Sequence, residues 1–97
     1  MDEILVNDLK KVLKERQGFP YVYDWYDEPG TEYPAHSHKG QVMIYIVQGS
    51  VEFEFAEGKV PLYVGACFDV PVGMEHTAKV GPEGCTFVAG EMIEGDS

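Results

Sequence analysis

The chain contains three histidines, and their placement points to one joint task. Two of them form His36-Ser37-His38, and the third, His76, follows forty residues later. In an extended chain, side chains at i and i+2 share one face, so the first two imidazoles can be aimed at a single point. If the strand headed by His76 lies beside or opposite the first pair, a third ring nitrogen completes a cradle of the kind that Zn, Fe, Ni, Cu, Mn or Co accept. The competing reading is three surface or hydrogen-bonded imidazoles with no ion. A site of three neutral imidazoles leaves the ion's charge uncompensated, which makes it a strong Lewis acid and favours a further anionic ligand such as hydroxide, carboxylate or thiolate. It also leaves coordination positions open, as catalytic sites do and structural zinc sites do not.

Strands are the elements that must bring these residues together. From Phe19-Pro20 onward aromatic and β-branched residues dominate, punctuated by Pro29-Gly30, Pro34, Gly49, Gly58, Pro61, Gly65, Pro71, Gly73, Gly81-Pro82 and Gly84. The stretch Val51 to Phe55 alternates apolar and acidic residues, the pattern of a strand with one wet face. Met43 to Val47 is apolar on both faces, which calls for cover on both sides, by the barrel interior and by a second sheet or subunit. Seven or eight short strands joined by tight turns predict an antiparallel sandwich or barrel. Ahead of them, Leu5, Leu9, Val12 and Leu13 recur at helical spacing, which predicts a short amphipathic helix with Asn7 as its N-cap and Gly18 as its stop. The reading is therefore a single domain over 1–97, with a helical segment at 1–18 and a barrel at 20–91. The tail Glu91-Met92-Ile93-Glu94-Gly95-Asp96-Ser97 is expected to fray.

Two spaced motifs make a family resemblance specific. The first is Gly30, five residues, His36-x-His38, then ten residues to Gly49; the second is Gly65, five residues, Pro71-x-Gly73, two residues, His76. Together they resemble the two signature motifs of the cupin superfamily and, with their connecting strands, span most of the chain. All three histidines fall on histidine positions of that pattern, which weighs against the metal-free reading. The resemblance implies an all-β antiparallel double-sheet barrel, a short jelly roll, with one divalent metal held inside by His36, His38 and His76.

The chain departs from the family pattern in two places. Cupins usually supply a fourth ligand, a glutamate or sometimes a glutamine, four residues after the second histidine; here that position is Val42. Counting by twos along an unbroken strand turns Val42, Ile44 and Ile46 inward and Gln41 outward. Gln41 becomes a candidate fourth ligand only if the strand bulges, and Gly40 is a place where it can. The asparagine that often closes the second motif is Val80. The site would then be walled by Val42, Ile44, Phe53, Phe68 and Val70. Glu32 and Asp24 are the acids near enough to serve as a general base, whereas Glu75 should point away. Tyr21, Tyr23, Trp25, Tyr26 and Tyr33 are read either as pocket lining or as an edge strand or dimer face. Met43 and Met74 read as core filler.

Composition narrows the function classes. Seventeen acidic residues against seven basic ones give a formal charge of −10, which repels phosphate backbones and anionic lipid. Nucleic-acid binding and membrane association are disfavoured. The N-terminal residues carry acids where a secretory signal carries Lys or Arg, so the location is read as cytoplasmic. Cys67 and Cys85 lack C-x-x-C spacing and are read as reduced packing residues. A domain of this size gains from a bound metal or a partner subunit, so a homodimer is expected. Two functional readings remain: a metalloenzyme of dioxygenase or isomerase type acting on a small molecule, and a non-catalytic module that holds metal and a small effector. A parallel with the three-histidine thiol dioxygenases rests on the ligand set alone.

Overall fold

The computed structural model describes residues 3–96. Helix α1 (Glu3–Lys11) runs into a wider turn over Val12–Arg16, and six strands follow: β1 (Tyr21–Asp27), β2 (Glu32–His36), β3 (Val42–Phe55), β4 (Gly58–Tyr63), β5 (Cys67–Val70) and β6 (His76–Glu91). Every pairing is antiparallel. The strands number six because β3 and β6 are long and each serves two layers. The first half of β3 pairs with β5 and with the second half of β6, which also carries β1; the second half of β3 pairs with β4 and with the first half of β6, which also carries β2. Divided at their bends, β3 and β6 bring the count to eight segments, four in each layer of the double-sheet barrel.

The bends also reverse which residues face inward. Along β3 the buried side chains are Val42, Ile44 and Ile46, then Val51, Phe53 and Phe55, so the pattern passes from even to odd positions. The register shifts between Ile46 and Val51 account for the change, because one unmatched residue flips every later side chain to the other face. Gly49 occupies this corner with φ +75°, directly opposite Cys85. On β6 the same exchange runs from His76, Ala78 and Val80 to Cys85 and Ala89. The two inner faces build one apolar core inside the barrel.

The outer face of the first half of β3 is covered by the chain's own N-terminus. Val6, Leu13, Phe19 and Val88 form a second buried cluster, against which Leu9, Val22, Met43, Tyr45 and Val47 pack. Each fully buried apolar side chain of this kind contributes about 1.5–3 kcal/mol. The helix thus supplies the cover that the doubly apolar stretch called for, in place of a second sheet or subunit. Two details of the predicted helix change. It is already formed by Glu3, so Asn7 lies inside it and not at its N-cap, and Val6 takes the buried position while Leu5 is exposed.

Candidate metal centre

His36 is the last residue of β2, and His76 is the first residue of β6, directly opposite it in the ladder. His38 lies beyond the strand, in the 37–41 connection. The unbroken strand assumed from the sequence therefore ends at His36, and His38 is aimed by its loop. Three contacts fix that loop: Gly73 N–H donates to the His38 carbonyl at 2.9 Å, and the Asp96 carboxylate accepts from the amides of Lys39 (3.0 Å) and Gly40 (2.8 Å). Gly73, with φ +76°, turns the chain two residues after Pro71, so the second motif holds a ligand loop of the first as well as presenting His76.

One ring nitrogen from each histidine lies within 4.8 Å of the others. His38 and His76 are buried, and ring centroids stand 4.4 Å apart for His36–His76 and 5.1 Å for both His38 pairs. Each Nδ1 meets a main-chain carbonyl oxygen: His36 on Pro34 at 2.7 Å, His38 on Asp96 at 2.6 Å, and His76 on Met74 at 3.0 Å. A carbonyl only accepts, so each Nδ1 carries the proton and each Nε2 keeps its lone pair. Carbonyl-anchored Nδ1–H with a free Nε2 is the tautomer that metal-bound imidazoles adopt, and the donor set fits a divalent ion. Burial, reinforced by the neighbouring His36 and His38, lowers the pKa of His76 against the raising effect of its Met74 bond, which favours the neutral ligand form. Its ring stacks on Phe53 at 5.4 Å and 3°.

The histidines open into a cavity of about 850 Å³ in the barrel interior. Val42, Ile44, Phe53 and Val70 line it, as do Val51, Ala78, Val80 and Cys85. Phe68 is not among the lining residues: paired with Ile44 across the ladder, it packs into the same core, edge-on to Phe53 at 5.5 Å. Gln41 is not brought to the cluster. It is exposed, with Nε2 on the Asp69 carboxylate at 3.2 and 3.4 Å, and no bulge turns it inward. The two acids singled out as bases fare differently. Glu32 is exposed and away from the cavity, whereas Asp24 touches the rim but is bound to Lys10 at 2.5 Å. Glu75 is exposed, pointing away as expected.

Three acids that matter were missed. Asp27 is buried and lines the cavity, accepting from Trp25 Nε1 at 3.0 Å and Tyr33 Oη at 2.5 Å. Burial first, then the bond to Asp27, pushes the Tyr33 phenol well above its ordinary value, so the phenol is the donor. Glu91, also buried, accepts from Tyr23 Oη at 2.8 Å. Asp96 belongs to the tail expected to fray, which instead folds back over Gly40, where a Cβ would stand 3.0 Å from Ile93. Alternation along β1 would have found Asp27, since Tyr23, Trp25 and Asp27 are two apart. Nothing local marks Asp96, whose partners are some 57 residues away. Of the aromatic run, Tyr23, Trp25 and Tyr33 line the cavity, while Tyr21 and Tyr26 are exposed outside it.

Of the two free cysteines, Cys67 is exposed and Cys85 is buried in the cavity wall, its thiol pushed up to about 11 by burial and by Asp27. Alkylation needs the thiolate. Iodoacetamide at pH 8 should therefore add one label to the native protein, at Cys67, and a second only in denaturant; peptide mass spectrometry showing equal labelling of both native cysteines would contradict this environment.

The family model of the cupin domain matches residues 24–90, a stretch that contains all three histidines and every strand except the first residues of β1 and the last of β6. The chain belongs to the cupin family. No curated protein matches it. Among solved structures, this cupin is similar to an uncharacterized conserved protein with a double-stranded β-helix domain from Klebsiella pneumoniae, with 28% identity, TM-score 0.64, and coverage of 78% of this chain and 69% of that one. It resembles a cupin-2 domain protein from Shewanella frigidimarina at 20% identity and TM-score 0.61, covering 70% of this chain and 65% of the other. The DMSP lyase DddQ from Ruegeria pomeroyi gives 21% identity and TM-score 0.66 over 78% of this chain and 39% of the lyase. Below 25% identity such likeness establishes the fold alone. This cupin spans a little under two thirds of the Shewanella protein's length. Among the described residues, no helix is long and apolar enough to cross a membrane.

Proposed function

We propose that this cupin binds one divalent transition metal (Zn, Fe, Ni, Mn, Cu or Co) through His36, His38 and His76 and uses it on a small molecule held in the barrel cavity. The observation that carries the reading is the set of three Nδ1–H bonds to main-chain carbonyls, which commits all three rings to the same tautomer with Nε2 lone pairs available. When bound, the ion supplies Lewis acidity at its open positions, of the kind used in dioxygenase and isomerase chemistry. The chain's own residues orient and exclude water: Val42, Ile44, Phe53 and Val70 give the ligand an apolar wall. With no carboxylate among the three histidines that would hold it, the ion's charge would be answered by an added anionic ligand such as hydroxide, carboxylate or thiolate.

A non-catalytic module holding metal and effector is the second reading, favoured by the absence, among the described residues, of any acid clustered with the three histidines. Elemental analysis of freshly purified protein tests the first reading and separates it from the second. About one equivalent of Fe, Mn or Cu per chain supports the enzyme, whereas zinc with no turnover of dicarbonyls or thiols in oxygen supports the module. Failure to take up any divalent ion on reloading would end both. A homodimer remains part of the proposal, supported by the exposed Tyr21, Trp25 and Tyr26 of edge strand β1.

Asp96 acts on this site through His38. Its carbonyl fixes the His38 ring, and its carboxylate ties the tail to the ligand loop. Outer partners of this kind are worth about 10–100-fold in metal affinity. Asp96→Ala should weaken zinc by that factor in a chelator competition, with Asp96→Asn partly restoring it through one retained acceptor. Equal affinity in all three proteins would remove the strap from the account.

A further inference from the structure

We propose that Asp27 is the recognition group for a small organic ammonium ion whose opposite end carries an oxygen donor directed at the three histidines. The assignment of that opposite end rests on the metal-centre reading; the assignment of Asp27 does not. Asp27 is only 8% exposed, yet it lines the cavity. Its two partners, Trp25 Nε1–H and Tyr33 Oη–H, are both neutral. They orient the carboxylate without bringing a positive charge to it, and a carboxylate offers about four acceptor sites, of which these use two. Among the described residues no cationic side chain lies within ion-pair distance of it. Buried charges in proteins are normally paired, so a buried carboxylate without a cation that borders an open cavity calls for a cation from outside.

The rest of the lining narrows the choice. It contains no Lys or Arg. Its other two carboxylates differ from Asp27: Asp24 is paired with Lys10, and Asp96 is only partly buried, with its carboxylate on the amides of Lys39 and Gly40. Cys85 stands across the ladder from Asp27, and much of the remaining lining is aromatic or aliphatic, with Tyr23, Val80 and Phe87. A neutral hydroxyl would fill a hydrogen-bonding site without answering the charge, whereas an ammonium does both. The cavity therefore offers a ligand two distinct polar features in a largely apolar lining, the Asp27 carboxylate and the histidine cluster. A ligand that matches both is an amine at one end and a carboxylate or similar oxygen donor at the other.

The probes are ω-amino carboxylates of two to six carbons and the fatty acids of matching length, titrated calorimetrically into zinc-loaded and metal-free protein. At least one amino carboxylate should bind about tenfold or more tighter than its fatty-acid counterpart, the scale of a hydrogen bond to a charged group. Asp27→Asn, which keeps an acceptor for Tyr33, should bring that ratio close to one. Ratios near one throughout the wild-type series, or no binding by any amino carboxylate, would overturn the proposal even if Asp27→Asn failed to fold. A preserved ratio with affinities indifferent to zinc would sink only the histidine reading, since recognition by Asp27 would stand without it.

Discussion

Replacing two of the three histidines, in His36→Ala/His76→Ala, is expected to lower bound metal from about one equivalent to below about a tenth after dialysis, because one remaining imidazole cannot hold a divalent ion. The two residues differ in what else they support. His76 is 3% exposed and its ring is stacked on Phe53, so its truncation also opens a cavity, at about 2–4 kcal/mol by analogy with large-to-small core changes. His36 is only partly buried, and its removal leaves the core intact. His36→Ala alone should therefore keep the wild-type melting temperature of the metal-free protein while losing about 100-fold in zinc affinity, about 2.7 kcal/mol. Unchanged metal content in the folded double variant would end the claim that these residues hold an ion. Circular dichroism alongside elemental analysis separates loss of ligand from loss of fold.

Gly49→Ala should be the most damaging small substitution in the barrel. A Cβ at this position would stand 1.9 Å from the carbonyl oxygen of Gly84, and Gly49 has φ +75°. The collision is with backbone, which cannot rotate away, so the β3 and β6 corners would have to separate where both reverse their inward faces. Gly18→Ala isolates the conformational part, since its φ is +80° and nothing lies within 4 Å of its Cβ. The left-handed backbone alone costs an alanine about 1–2 kcal/mol, while Gly49→Ala should exceed about 3 kcal/mol, a fall of roughly 12–24 °C in melting temperature for a domain of this size. Equal thermal shifts for the two variants would mean that the corner is softer than its packing implies.

Much of this molecule is written locally. The spacing of His36, His38 and His76 pointed to a common site, and the alternation around Val51, Phe53 and Phe55 placed a strand with one buried face where β3 has one. Val42 faces inward and Gln41 outward, as counting by twos requires, even though the strand on which the count was made is interrupted between them and His36. The apolar Met43–Val47 stretch signalled cover on both sides, but not that the N-terminal helix provides it. The periodicity of a strand records that a face is buried and says nothing about what buries it.

Three imidazoles aimed at one point, and the barrel that brings them together, could thus be read from the chain itself, because residue type and strand period are local properties. Tertiary structure alone decided the surroundings. It set the tautomer of each histidine through carbonyls of Pro34, Met74 and Asp96, the last of them 58 residues from its partner. It turned a tail expected to fray into a strap on the His38 loop, and it left Asp27 buried with no cation paired to it among the described residues. These outcomes depend on which chain segments meet when two bent strands close a barrel, and hydrogen bonds across such distances leave no periodic trace in the residues that make them.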